Sequence, residues 1–136
     1  MRKPKMTEYG DYATWLNFPV MSNYAVRLIF TDDLAKSAAG RRLSGRPSVA
    51  AEAFCFHVKD EGQSYIVLKH DSNEGTIAHE CWHIVNRVMG YCGVADMDDE
   101  IVAYHISYMV EKVYEFKKRV QAVHAVKSSN KKRGQR

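Results

Sequence analysis

The sequence lacks the features of a membrane protein and those of a disulfide-rich secreted protein. No stretch approaches the ~20 consecutive apolar residues of a transmembrane helix. The N-terminus is basic, but no apolar segment of signal-peptide type follows it. The three cysteines, Cys55, Cys81 and Cys92, are odd in number and include no Cys-x-x-Cys pair, which argues against a disulfide framework and a thiolate zinc knuckle. We therefore expect a cytoplasmic protein with reduced thiols and no contact with membranes.

The length and the distribution of charge narrow the possibilities further. A chain of 136 residues, 46% hydrophobic and 26% charged, supports one globular domain with one modest core. Its net charge is +4, but residues 1–6 and 127–136 hold eight basic residues and no acid, so the residues between them are net negative. Residues 71–100 carry seven acidic residues against Arg87 alone. Such a segment is either a solvated acidic surface or a set of oxygen donors for a cation.

Runs rich in β-branched and aromatic residues predict a sheet of about three strands. They cover residues 24–30, 53–59 and 64–70. Residues 60–63 join the last two runs in the pattern of a β-hairpin. Residues 31–33 end the first run and offer a cap to a short helix at 34–39, and the glycines and proline of 40–47 predict a mobile basic loop. The mixed composition of residues 1–23 predicts an arm or a short helix.

From Asn73 onward the apolar residues recur at helical spacing. A first helix has an apolar stripe and ends at Gly90 and Gly93; the stripe consists of Ile77, Ala78, Cys81, Trp82, Val85, Val88 and Met89. A second helix begins at the acidic residues 98–100 and continues to about Val126. Its apolar positions are Ile101, Tyr104, Tyr108, Met109, Val113, Phe116 and Val120. Residues 127–136 have no apolar periodicity and should be disordered.

These elements predict an α+β protein. A small, mostly antiparallel sheet of about three strands packs on the two helices to form one domain over residues 24–126. Residues 1–23 precede this domain as an arm or short helix, and residues 127–136 follow it as a basic, disordered tail.

The first predicted helix carries His79-Glu80-Cys81-Trp82-His83, an HExxH motif. Helical positions four apart differ by about 40° in azimuth and about 6 Å in height, so both imidazoles can bind one ion at roughly 2.1 Å. Glu80 is offset from both histidines, which places its carboxylate beside the ion, where it can take a proton from bound water. The motif occurs by chance in well under ~1% of chains of this length. It therefore predicts a Zn²⁺ site with His79 and His83 as metal ligands and Glu80 as catalytic base.

A catalytic zinc site needs a third protein ligand and one open position. The metzincin continuation of the motif fails, because Asn86 occupies its glycine position. Glu100, in the first turn of the second helix, is the best candidate. Its competitors are Asp96, Asp98, Asp99 and, more weakly, His105. A site with a glutamate ligand can also bind divalent metals other than zinc in vitro.

The segments TIAHECWHIV and DDEIVAYHISYM, with the strands before them, resemble the small single-domain gluzincin-type metallopeptidases around the SprT-like and ImmA/IrrE-type peptidases. Many of these are predicted in phage and prophage genomes, and the resemblance covers roughly residues 24–116. It implies a minimal zincin fold, zinc bound by His79, His83 and Glu100, and peptide hydrolysis with Glu80 as general base. Thermolysin-like members carry an aspartate four residues after the third ligand, whereas this chain has Tyr104.

The resemblance also implies that the strand before the motif helix, Tyr65 to Lys69, is a sheet edge that pairs with an extended peptide substrate. Alternation along that strand does not decide which side chains face the cleft. The tetrahedral oxyanion would need one further donor. Tyr104 is the leading candidate for this catalytic role, ahead of His105, Tyr108, His57 and His70.

Two other functions are compatible with the sequence. The first is a catalytically weak or inactive zincin-fold protein that binds a partner, for example a phage factor that acts on a host protein. The intact Glu80 argues against it, since zinc retention alone needs no base. The second is a DNA-associated peptidase whose basic ends make weak, non-specific contacts with nucleic acid. A solvated basic terminus explains those ends equally well.

Overall fold

Four strands and two helices make up the fold in the computed structural model, which describes residues 3–18, 21–37, 52–58, 61–93 and 99–134. The strands are β1 (Tyr12–Phe18), β2 (Met21–Thr31), β3 (Ala53–Val58) and β4 (Gln63–Lys69). The helices are α1 (Glu74–Tyr91) and α2 (Asp99–Arg133). The α+β class predicted from the sequence is confirmed, with a four-stranded sheet in place of the expected three strands.

The sheet is mixed, in the order β1-β2-β4-β3. β1 pairs antiparallel with β2, β2 pairs parallel with β4, and β4 pairs antiparallel with β3. The predicted β3–β4 hairpin is therefore present. The prediction that residues 1–23 form an arm or short helix is wrong, because β1 and the start of β2 lie there and pair with each other.

The two central strands are apolar on both faces, which explains why they read as continuous hydrophobic runs. On the face toward the helices, Leu28 and Phe30 of β2 and Ile66 and Leu68 of β4 join the main core. On the opposite face, a smaller cluster contains Ile29, Leu34, Tyr65 and Val67. The side chains of β4 are thus divided between the helices and a second, smaller layer.

The helices pack on the sheet through stripes at helical spacing. The side chain of Asn73 caps α1 by accepting a hydrogen bond from the Thr76 N–H at 2.8 Å. Six apolar side chains of α1 are buried: Ile77, Cys81, Ile84, Val85, Val88 and Met89. The predicted stripe differs at Ala78 and Trp82, which are exposed. On α2 the buried apolar positions are Met109, Val113, Phe116 and Val120, all predicted from the sequence. The predicted stripe differs at Ile101 and Tyr104, which are exposed, and at Tyr108, which is half-buried.

Three further segments test the predictions for loops and ends. Residues 34–37 form a turn rather than a helix, in which Asp33 accepts hydrogen bonds from the N–H groups of Ala35 and Lys36. The rest of that predicted helix, and the predicted loop 40–47, lie outside the described residues. The predicted disordered tail is wrong over residues 127–133, where α2 continues. Among the described residues, no helix combines the length and apolar character needed to cross a membrane.

Candidate metal centre

The HExxH motif lies in the second and third turns of α1, on the side of the helix next to β3. The Nε2 atoms of His79 and His83 are 3.1 Å apart, and the planes of their rings are 79° apart. His79 is exposed and His83 is half-buried, so both nitrogens are accessible from outside the core. The helical spacing therefore brings the two imidazoles together as the sequence predicted.

The separation of these nitrogens fits a shared cation. Two nitrogens bound at 2.0–2.1 Å to one tetrahedral ion lie about 3.3–3.4 Å apart. The observed 3.1 Å is within a few tenths of an ångström of that value. Without an ion, the same distance allows one neutral ring to donate an N–H to the other. The two side chains can therefore replace the hydrogen bond between them with bonds to a metal ion, with little movement.

Glu80 points from the same helix toward the sheet and is 7% exposed. Its carboxylate lies beside the thiol of Cys55, which is on β3. Burial, and next the charge of Glu80 and a hydrogen bond to it, raise the pKa of Cys55 to about 12. Burial and the charge of Glu80 raise the pKa of Cys81 to about 12 as well. Both thiols are therefore protonated at neutral pH, and the carboxylate is held next to a weak S–H donor.

A groove of about 420 Å³ opens next to the motif. The start of β3 contributes Glu52 and Ala53 to its wall, and the first turns of α1 contribute the remainder. Those helical residues are Asn73, Gly75, Thr76, His79 and Glu80. The groove thus has a strand on one side and the histidine and carboxylate of the motif on the other.

No family model, curated protein or solved structure matches this chain. The site is therefore interpreted from its own geometry.

Glu100, the predicted third ligand, is exposed in the first turn of α2. Glu100, His79 and His83 do not form a group of three metal-ligating side chains with all ligand atoms within 4.8 Å of one another. In the described part of the chain, a different set of three side chains meets that distance. The competitors Asp96 and Asp98 lie outside the described residues, and Asp99 is exposed. The assignment of Glu100 as a ligand stays a prediction.

The other predicted polar residues have varied surroundings. Tyr104 is 62% exposed, edge-on to the ring of His105. His105 is buried, with Nδ1 against the Ile101 carbonyl at 2.6 Å and its ring stacked on Phe18. Tyr108 donates a hydrogen bond to the Asn17 carbonyl at 3.0 Å.

His57 has structural contacts. Its Nδ1 lies 2.7 Å from the hydroxyl of Tyr24 and 3.2 Å from that of Ser64. Of the five proposed oxyanion donors, His57, His105 and Tyr108 thus have local contacts that explain their presence. Tyr104 presents an exposed side chain.

The strand expected to be a sheet edge is not one. β4, which contains Tyr65 to Lys69, has β2 on one side and β3 on the other. In the described part of the chain, β3 is the last strand on this side of the sheet. β3 also contributes Ala53 to the groove wall, so the edge beside the motif helix belongs to β3. The resemblance implied that β4 is the edge strand, whereas the edge strand is β3. The difference arises because the parallel pairing of β4 with β2 was not expected.

Sequence reasoning also missed one set of side chains. Asp32, His70 and His124 are the set whose ligand atoms lie within 4.8 Å of one another. They come from the end of β2, the end of β4 and α2, separated by 38 and 54 residues. No local spacing links them. The signal was the pairing of β2 with β4, which the prediction of a mostly antiparallel sheet did not contain.

Proposed function

We propose that the chain is a zinc-dependent metallopeptidase of the gluzincin type, with a minimal zincin fold. The observation that carries the proposal is the pair of imidazole nitrogens 3.1 Å apart, one turn from each other on α1, with the buried carboxylate of Glu80 between them in sequence. The adjacent groove supports it, since a peptide needs access to this pair.

Zinc suits this donor set because imidazole nitrogens are among its preferred ligands. When bound, the ion would supply Lewis-acid polarisation of the scissile carbonyl and acidify a water molecule. His79 and His83 would hold it, and Glu100 is the proposed third ligand. Glu100 is an exposed side chain in the first turn of α2, so it would have to move to join the histidines.

Glu80 has the role of general base in this proposal. Its carboxylate would take the proton of the attacking water and pass it to the leaving amine nitrogen. Burial between α1 and β3 limits the motion of the carboxylate and keeps it near the histidines. The Cys55 thiol is a weak hydrogen-bond donor and leaves carboxylate lone pairs available for water.

β3 would position the substrate. An edge strand presents unpaired N–H and C=O groups that can bind an extended peptide by strand addition. Because Ala53 and the preceding Glu52 line the groove beside His79, a peptide added to β3 would run past the motif. The substrate class is therefore a peptide or an unfolded protein segment in extended conformation.

Metal analysis tests the ligand set. We expect purified wild-type protein to retain roughly one zinc at the motif. His79→Ala should lose this zinc, and so should Glu100→Ala. Glu74→Gln is the matched control, since it removes an exposed carboxylate in the first turn of α1 that lies outside the groove wall. Retention of the motif zinc in Glu100→Ala would transfer the third position to an aspartate. Because the Asp32–His70–His124 cluster could hold a zinc of its own, the comparison is made in a His124→Ala background, in which an unchanged zinc content on adding His79→Ala would refute the motif site.

Hydrolysis of a peptide library tests the activity. Glu80→Gln should cleave at least about 10²-fold more slowly than wild type while it keeps its zinc, because general-base catalysis contributes ~10²–10⁴-fold. Glu74→Gln should cleave at the wild-type rate. Equal cleavage by wild type and Glu80→Gln would contradict the proposed mechanism.

A second candidate, a zincin-fold binding protein with weak or no turnover, is favoured by one observation. Glu100 is not grouped with the histidines, so the described site has two assembled ligands rather than three. This function predicts zinc binding without cleavage of any library member. It also predicts a Glu80→Gln variant that binds the same partner as wild type.

A further inference from the structure

Three elements bring metal-binding side chains together at one end of the sheet, apart from the HExxH motif. β2 and β4 run parallel, with Thr31 opposite Lys69, so the residues that follow them, Asp32 and His70, are neighbours. The His70 N–H donates to the Thr31 carbonyl at 3.3 Å and holds the two strand ends together. α2 crosses this end and contributes His124. The carboxyl ends of parallel strands are a common location for ligand sites.

We propose that Asp32, His70 and His124 form a transition-metal site, with zinc as the best-fitting ion, that fastens α2 to the end of the β2–β4 pair. The proposal is independent of the proposed peptidase function, because the two sites share no residue. Two imidazoles and one carboxylate are a typical ligand set for zinc, and the same set also accepts nickel, cobalt and copper.

The geometry is close to that of a bound site. The Nε2 atoms of His70 and His124 each lie 3.8 Å from Oδ1 of Asp32. Ligand atoms on a tetrahedral zinc lie about 3.3–3.4 Å apart, so an inward shift of about half an ångström would assemble these contacts. The side chain of Asp32 is 72% exposed and can make such a shift by rotation. Its exposure also leaves room for water at the remaining position.

The surroundings of the two histidines favour a cation ligand role over a purely structural one. Among the described residues, Nε2 of His70 is buried without a hydrogen-bond partner, although Asp32 is near. The rings of His70 and His124 are stacked 4.2 Å apart, so one ring would rotate for both Nε2 lone pairs to meet a single ion.

Tyr12 lies next to both histidines of the proposed site. It is fully buried, lies edge-on to both histidine rings at 5.9 Å, and its hydroxyl has no hydrogen-bond partner in the described part of the chain. The ammonium of Lys127 lies 5.9 Å from the centre of the Tyr12 ring. A buried hydroxyl beside two imidazoles, without a partner among the described residues, indicates a polar environment that could accommodate a further polar ligand.

The experiment uses the full chain with the motif histidines removed. We expect His79→Ala/His83→Ala to retain roughly one zinc per chain after equimolar loading and gel filtration. Zinc should also raise its Tm, because a ligand that binds only the folded state stabilises it. If this variant retains no zinc and its Tm does not change, the proposed site is refuted, whatever the behaviour of the motif.

Further substitutions in this background assign the zinc. Asp32→Asn and His124→Ala should each lower zinc affinity by at least the roughly 10–100-fold loss caused by residues that only orient ligands. Asp33→Asn is the matched control, since Asp33 is the adjacent exposed acid and caps a turn instead. Circular dichroism confirms folding. Equal affinity in Asp32→Asn and Asp33→Asn would overturn the assignment. If the wild-type protein binds zinc and only substitution of Asp32 or His124 abolishes that binding, the result would support this site and refute the motif site.

Discussion

Glu80 is a buried carboxylate that lies near two thiols, those of Cys55 and Cys81. Buried charges normally pair with a cation or a set of donors. The two thiols donate weakly, and in the proposed function a cation held by His79 and His83 would lie next to the carboxylate. This is the arrangement expected of a base that acts next to a metal.

Alkylation of Cys55 reports on this contact. At pH 8 a thiol with a pKa of about 12 has about one ten-thousandth of its population as thiolate, so Cys55 should react very slowly with iodoacetamide. The rate should rise as the pH approaches the pKa. Glu80→Gln removes a charge that raises this pKa, so the thiolate fraction and the rate should increase several-fold. Glu74→Gln should leave the rate unchanged, and peptide mass spectrometry identifies the modified cysteine.

At the residue scale, the sequence predicted the contacts that follow from one helix and missed those that join distant elements. The approach of His79 to His83 follows from the helical repeat alone. The contact of Glu80 with Cys55 requires β3 to pair beyond β4, and the Asp32–His70–His124 cluster requires β2 to pair with β4. The β3–β4 hairpin was predicted from its short connection, but the parallel pairing of β2 with β4 is not encoded in a local spacing.

The second helix holds the fold together through one buried stripe. Met109, Val113, Phe116 and Val120 recur at intervals of four, three and four, and all lie in the main core. The positions between them are mostly exposed or half-buried. The stripe places the middle of α2 against the sheet, which fixes the position of His124 beyond it and of Glu100 before it.

Truncation of this stripe should destabilise the whole protein. Met109 is fully buried, so Met109→Ala should lower the free energy of unfolding by about 2–5 kcal/mol through lost burial and a cavity. Val126→Ala, at a position 59% exposed on the same helix, should change it by less than about 0.5 kcal/mol. Urea denaturation of both variants measures the difference. Equal stability would mean that α2 does not pack through this face.

At the scale of elements, the strong periodic segments were predictable and the weak ones were not. α1 begins directly after Asn73, where the helical periodicity starts, and α2 begins at the expected acidic residues. β1 was missed because its apolar and polar residues do not alternate clearly: Trp15, a large apolar residue, is exposed on the face opposite the buried Tyr12 and Phe18. Such a strand is defined by its partner β2 more than by its own residues.

Over the whole molecule, the negative and the positive charges are concentrated in different segments of the chain. The negative segment at residues 71–100 includes the motif helix, and the basic residues at the C-terminal end continue as helix rather than as a disordered tail. Periodicity could not predict this extension, because the last turns bury no apolar stripe. Lysine and arginine are favourable at a helix C-terminus, where they complement the macrodipole. The helix therefore presents its last positive charges at defined positions.

A clustered array of this kind should bind a polyanion more strongly than the same charge dispersed over the surface. Lys131→Gln/Lys132→Gln removes two exposed charges from the last turn of α2. Lys36→Gln/Lys112→Gln removes two from separate places on the surface, so the two variants have the same net charge. On a heparin column, the first variant should elute at lower salt than the second. Coincident elution would show that only total charge matters, and it would remove the basis for a nucleic-acid contact through this end of α2.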